Sequence, residues 1–167
     1  MSTKLKLLII ILVIAIGGFF IYQQVNKNNI AGITATNPSV FPNPTLTTGD
    51  VFSDATVNEV CTPGYTKTVR NVSSQTKRLV FEEYGISYPP GKGEYEVDHF
   101  IPLELGGSND ISNLWPEPAD PKPGFHQKDE VENYLHDQVC KGTISLEQAQ
   151  ETIRANWLVI YQKMPKN

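Results

Sequence analysis

The chain has 167 residues and a mass of 18.6 kDa, room for one compact domain and short of what two ordinary domains need. Its 40% hydrophobic and 10% aromatic content excludes a disordered or fibrous protein. The formal net charge is −4, and because Lys4, Lys6 and Lys27 precede residue 30 with no acid among them, the remainder carries −7. That rules out a large basic surface of the kind that holds nucleic acid by counterion release, and leaves only local patches.

Leu7 to Ile21 is an unbroken run of apolar residues and glycines behind Lys4 and Lys6. A spanning helix needs roughly 20 such residues and a signal-peptide core about 7 to 15. Residues 1–25 therefore read as an uncleaved membrane anchor or a cleaved signal. The basic residues ahead of the run hold the N-terminus in the cytoplasm and send the rest across. The expected location is the bacterial inner membrane with the domain on the periplasmic or extracellular side, or secretion after cleavage. Cys61 and Cys140 stand alone at the two ends of the folded region, too far from any other cysteine for a zinc-finger or redox pair. In an oxidising compartment one disulfide between them is the natural expectation, closing a loop of about 80 residues and adding about 3 to 5 kcal/mol of stability. Two separate buried thiols are the alternative.

Residues 26–56 are rich in Asn, Thr, Gly and Pro, show no helical or strand period, and read as a flexible tether. A short strand or edge is expected somewhere within Thr47 to Val60. The folded domain is expected over 57–167. Pro63-Gly64 marks a turn, and Ser73 or Ser74 opens a helix that ends at Tyr84-Gly85. Tyr95 to Ile101 is β-prone, Pro102 and Gly106-Gly107 end it, and Ile111 to Trp115 is a second short extended piece. Four prolines between 116 and 123 then precede a helix from Gly124 or Phe125 to Cys140, stopped by Gly142. Ser145 and Gln148 form a capping box for a last amphipathic helix carrying Ala149, Ile153, Trp157 and Ile160 on one face. The order, one helix, two short strands and two helices, is α+β.

All three histidines, His99, His126 and His136, fall within 38 residues. Asp98 directly precedes His99, and Asn113 lies between His99 and His126. On a helix the steps from His126 to Glu130, Asn133 and Asp137 return to one side, opposite Val131, Leu135 and Val139. That side offers a cluster of ligand-type groups, as a solvated polar face also would.

The run from Glu96 through Asp98-His99-Phe100-Ile101-Pro102 to Gly106-Gly107, followed by Asn113-Leu114, resembles the core of the HNH endonucleases, of the His-Me finger or ββα-metal superfamily. Trp115 to Pro118, Lys128-Asp129-Glu130 and Leu135-His136 through Cys140 are similar to small exported bacterial HNH-like nucleases. The resemblance implies a ββα-metal core with flanking helices, preceded by the N-terminal transmembrane or signal helix. It implies a metal-dependent endonuclease that cleaves DNA, or RNA, outside the cytoplasm and leaves a 5′-phosphate and a 3′-hydroxyl.

By the same resemblance His99 is the general base, since a neutral imidazole can take a proton from water near pH 7. Asn113 fixes the base and its loop. Asp98 and His126 hold one divalent ion, with Glu130 as a further ligand or a solvated surface residue. Mg²⁺ is expected first, with Mn²⁺, Ca²⁺, Ni²⁺ and Zn²⁺ as alternatives. His136, about 80° off the His126 face, is read as structural. The implied partners are DNA as substrate and the inner membrane, with the chain a monomer. The alternatives are a non-catalytic periplasmic or cell-surface binding module that keeps the HNH fold, and a phosphoesterase acting on a small substrate.

Overall fold

The computed structural model describes residues 39–165, all within one compact unit, Asn37–Asn167. The hydrophobic run before residue 22 lies outside the described residues, and so do most of the residues expected as an anchor and tether. Among the described residues no helix is long and apolar enough to cross a membrane.

Among the described residues three helices come first: α1 (Val57–Val60), α2 (Tyr65–Val69) and α3 (Ser74–Glu83). Ser73 caps α3 by accepting the Thr76 N–H, and the helix gives way at Tyr84 and Gly85, whose φ is 66°. Strands β1 (Tyr95–His99) and β2 (Leu114–Pro118) pair antiparallel, with Asp98 opposite Trp115 and His99 opposite Leu114. This is a two-stranded open sheet. The second strand begins three residues later than the apolar pattern suggests, because Ile111–Asn113 closes into a 3₁₀ turn capped by Asp110. Pro116 and Pro118 are tolerated because β2 pairs with β1 alone, leaving its other edge without a ladder.

Two long helices complete the domain, α4 (Phe125–Cys140) and α5 (Leu146–Lys163). The Ser145–Gln148 capping box forms as the sequence indicates, and helical φ/ψ is interrupted once in α5, at Asn156. Phe100, Ile101, Leu105 and Trp115 from the sheet region meet Val131, Leu135 and Val139 of α4 and Ala149, Ile153 and Trp157 of α5 in one core. The Cys61–Cys140 disulfide is formed and ties the residue after α1 to the last residue of α4. Residues 39–56 pack on this body. Trp157 Nε1 donates to Val40 O, Arg154 Nη2 to Gly49 O, and Gly49 N to Ser112 O, while Val51 bridges to Gly107.

The α+β class is as the sequence indicates, but the ββα-metal core requires correction, and the membrane helix expected before it falls on residues outside the described ones. The helix that follows the two strands places a lysine ammonium against Asp98, in the position where a metal ion would sit.

Candidate functional site

Strand β1 ends in Asp98 and His99, and α4 crosses behind it. Lys128 is completely buried on α4, one of the largest side chains in the interior. Its Nζ donates to Asp98 Oδ2 at 2.7 Å and to His99 O at 2.9 Å, bonds Glu132 one turn along the helix, and lies 3.4 Å from Glu117 Oε2 of β2. One ammonium thus faces three carboxyls. Burial works against its charge, but Asp98, Glu117 and Glu132 outweigh it and hold Lys128 protonated, well above the ordinary lysine range. At Asp98 burial is likewise overcome by the ammonium, and the carboxyl titrates below its usual range. Burial dominates at the other two: Glu117 is raised well above, and Glu132 to about 8. A single cation cannot satisfy three anions in a dry interior, so protons stay on the less favoured carboxyls.

His99 is buried at the end of β1, with Nε2 3.2 Å from Asn109 Oδ1. The Asn109 amide is fixed from both ends, since its Nδ2 donates to Val69 O and its Oδ1 accepts the Asn71 N–H. The oxygen therefore faces His99 and the ring donates from Nε2, which leaves Nδ1 unprotonated. Burial lowers the His99 pKa and Asp98 only partly offsets this, so the ring is neutral at neutral pH.

Two adjoining cavities flank this strand end. The larger, about 490 Å³, takes Arg70 from the end of α2 and Lys77 from α3, with Glu96 and Asp98 from β1 and Asp129 and Glu132 from α4. Glu96 keeps solvent contact, yet its partial burial and then the neighbouring Asp98 and Asp129 push it up to about 7. The smaller, about 100 Å³, is lined by His99, Arg70, Asp98, Glu132 and Glu104. Glu104 Oε1 is buried without a hydrogen-bond partner, and burial raises its pKa. A neutral imidazole and a carboxyl inclined to keep its proton can there accept and donate one proton respectively.

Asn113 sits beneath the site and is fully buried. Its Nδ2 donates to Ile101 O and Ser108 O, and its Oδ1 accepts the Ile101 N–H, so one side chain clamps the loop leaving β1. Gly107 completes the clamp, because a Cβ there would lie 1.7 Å from Ile101 O. His126 and Glu130 are exposed near the start of α4, the His126 ring stacked edge-on against Phe125. The structure therefore brings together Asp98 and His99, and places His126 and Glu130 apart from them on the outer side of α4. His136 turns to the opposite end of that helix and donates from Nε2 to Val60 O.

Among the described residues the group of metal-ligand atoms that does converge is a different one, Cys61, His136 and Cys140, all within 4.8 Å of one another. Its two sulfurs are bonded to each other, so in this state they hold no divalent ion. No family model, curated protein or solved structure matches the chain.

These findings correct the HNH resemblance and what it implied. Membership of the HNH endonucleases, a metal-dependent nuclease activity and a divalent ion held by Asp98, His126 and Glu130 are all set aside, because the convergent ligand set lies elsewhere and is closed by a disulfide. DNA as substrate goes with the nuclease activity on which it depended. The inner-membrane partner and the periplasmic or extracellular placement rested on residues 1–25, which lie outside the described residues; among the described residues no helix is long and apolar enough to cross a membrane. The binding-module alternative loses its HNH fold and keeps binding.

The residues that sequence reasoning missed are Lys128, Glu132, Glu117, Glu104 and Asn109. One signal was available for the first two: Lys128 and Glu132 share a helical face with Val131, Leu135 and Val139, and charged residues four apart on an apolar face belong together.

Proposed function

We propose that the domain binds a small zwitterionic ligand, an ammonium and an acidic group on one compact molecule, in the cavity beside β1. The observation that carries this reading is the division of charge in that cavity. Arg70 and Lys77 come from α2 and α3, whereas Glu96, Asp98, Asp129 and Glu132 come from β1 and α4. Of the carboxyls, Glu96 and Asp129 suit the ammonium, since Asp98 and Glu132 already bond Lys128, and the two cations suit the acid. A guanidinium is the better anchor for a carboxylate, because its planar fork donates two parallel hydrogen bonds. His99, neutral and bare at Nδ1, offers a hydrogen-bond acceptor in the adjoining space. The buried Lys128 cluster is the floor that keeps Asp98 in place whether or not ligand is bound.

The test is calorimetric titration of the full-length, disulfide-bonded protein with amino acids and dipeptides, beside analogues lacking either the ammonium or the acid. Zwitterions are expected to bind, and each singly charged analogue to bind about tenfold or more weakly, the cost of one charged hydrogen bond. Arg70→Ala should abolish discrimination on the acid side. Because Glu96 is raised to about 7, affinity for the ammonium should strengthen as pH climbs through 7 and the carboxyl ionises. Equal binding of the singly charged analogues, or no binding of any zwitterion, refutes the reading.

A further inference from the structure

At the far end of α4 the disulfide has an unexplained neighbour. His136 and Cys140 are one helical turn apart on the same face, and His136 Nε2 lies 3.4 Å from Cys140 Sγ. The Nε2 also contacts Val60 O at 3.0 Å, next to Cys61, so the ring is steered toward both sulfurs by the backbone of α1. The cysteine Cα atoms are 5.6 Å apart, held by two helices that pack on the same core. A structural disulfide needs no imidazole aimed at it.

We propose that Cys61, His136 and Cys140 form a Cu(I) site, available only once the disulfide is reduced. Two thiolates and one imidazole are the donor set that soft Cu(I) favours. Among the described residues the convergent group has three members, enough to complete a three-coordinate Cu(I) ion and one short of the four that a structural Zn²⁺ site almost always has. Cys140 is exposed, so a small reductant can reach its sulfur.

The chemistry balances in two stages. Two equivalents of a low-molecular-weight thiol reduce the bond, giving two protein thiols and one small disulfide. Cu(I) then displaces both thiol protons and takes Nε2 of His136, whose proton moves to Nδ1. Copper stays in the +1 state throughout. The Val60 carbonyl, which orients the ring in the oxidised protein, leaves it placed for the ion. Along α4, at 1.5 Å per residue, Cys140 lies about 18 Å and His136 about 12 Å from Lys128, and His136 is near enough to Glu104 of the smaller cavity to act on its charge.

The experiment reduces the full-length protein with a phosphine under argon and titrates it with Cu(I) against a chromophoric Cu(I) chelator, following helix content by circular dichroism. Reduced wild-type protein is expected to take one Cu(I) from the chelator while keeping its helices, and the oxidised protein to take none. His136→Ala should weaken the uptake about tenfold or more, and the Cys61→Ser, Cys140→Ser double variant should abolish it. Three results overturn the proposal: no uptake by reduced protein, uptake unchanged in His136→Ala, or loss of the helical signal on reduction that Cu(I) does not restore.

Discussion

His99 shows how one residue's setting is made by its neighbours. Asn109, with its amide fixed by Val69 and Asn71, selects the ring tautomer, and burial lowers the pKa below the ordinary 6.5. The unfolded chain therefore holds more protons on this ring than the folded one just below pH 6.5. The His99 contribution to stability is complete above that pH and is lost as pH falls toward the folded value. Glu96 and Glu132, raised to about 7 and about 8, act with the opposite sign and cost stability as pH rises from 4.5 through those values. A ring-proton NMR titration should find His99 below 6.5. His99→Gln should flatten the acid-side fall in urea-denaturation stability that the wild type shows. A titration at or above 6.5 would contradict the burial argument. The pairing of Asp98 with His99 was legible as a chemical locus because two such residues at a strand end draw attention. Asn109 was not: an Asn in a loop looks the same whether or not it orients a histidine.

At the scale of the element, α4 carries the site on one face and the disulfide at its end. Its apolar stripe, Val131, Leu135 and Val139, was readable from spacing, and so were its bounds. The ion cluster beneath was hidden because burial of a lysine is decided by three partners that arrive from β1, β2 and the helix itself, and only Glu132 is a sequence neighbour. Lys128→Met removes the only cation from that cluster and leaves Asp98, Glu117 and Glu132 facing one another. It should cost about 3–5 kcal/mol near neutral pH, the penalty for leaving buried charge unpaired. The loss should shrink at acid pH, where the variant's buried Asp98, without the ammonium that holds it ionised, takes up a proton as Glu117 and Glu132 do. Urea denaturation at pH 4.5 and 7.5 measures both, and a cost independent of pH would point to packing alone. The strands were legible in number and less so in register, since the 3₁₀ turn at Ile111–Asn113 depends on Asp110 capping Ser112 and on Asn113 reaching back to Ile101.

For the whole molecule, the α+β class and the disulfide followed from composition, helix periodicity and the isolation of two cysteines. The bond closes a loop of 79 residues that includes α2, α3, the sheet and α4. Reducing it should lower the stability by about 3–5 kcal/mol through the freedom returned to the unfolded chain, read as a fall in the urea midpoint. No such fall would mean the unfolded chain is already constrained there. Residues 39–56 were the least legible part, because low-complexity polar sequence gives no period even when its backbone is tied down. Their ties run to α5 through Val40 and Gly49, to α3 through the Tyr84 hydroxyl held by Asn43 and Thr47, and to the loop after β1 through Asp50 and Phe52. That segment is mechanically a clasp. Tension applied to the chain at residue 39 is spread over several hydrogen bonds and the Phe41–Trp157 ring contact before it reaches β1. A pull from that side would peel the clasp first and leave the cavity wall standing until the clasp had opened.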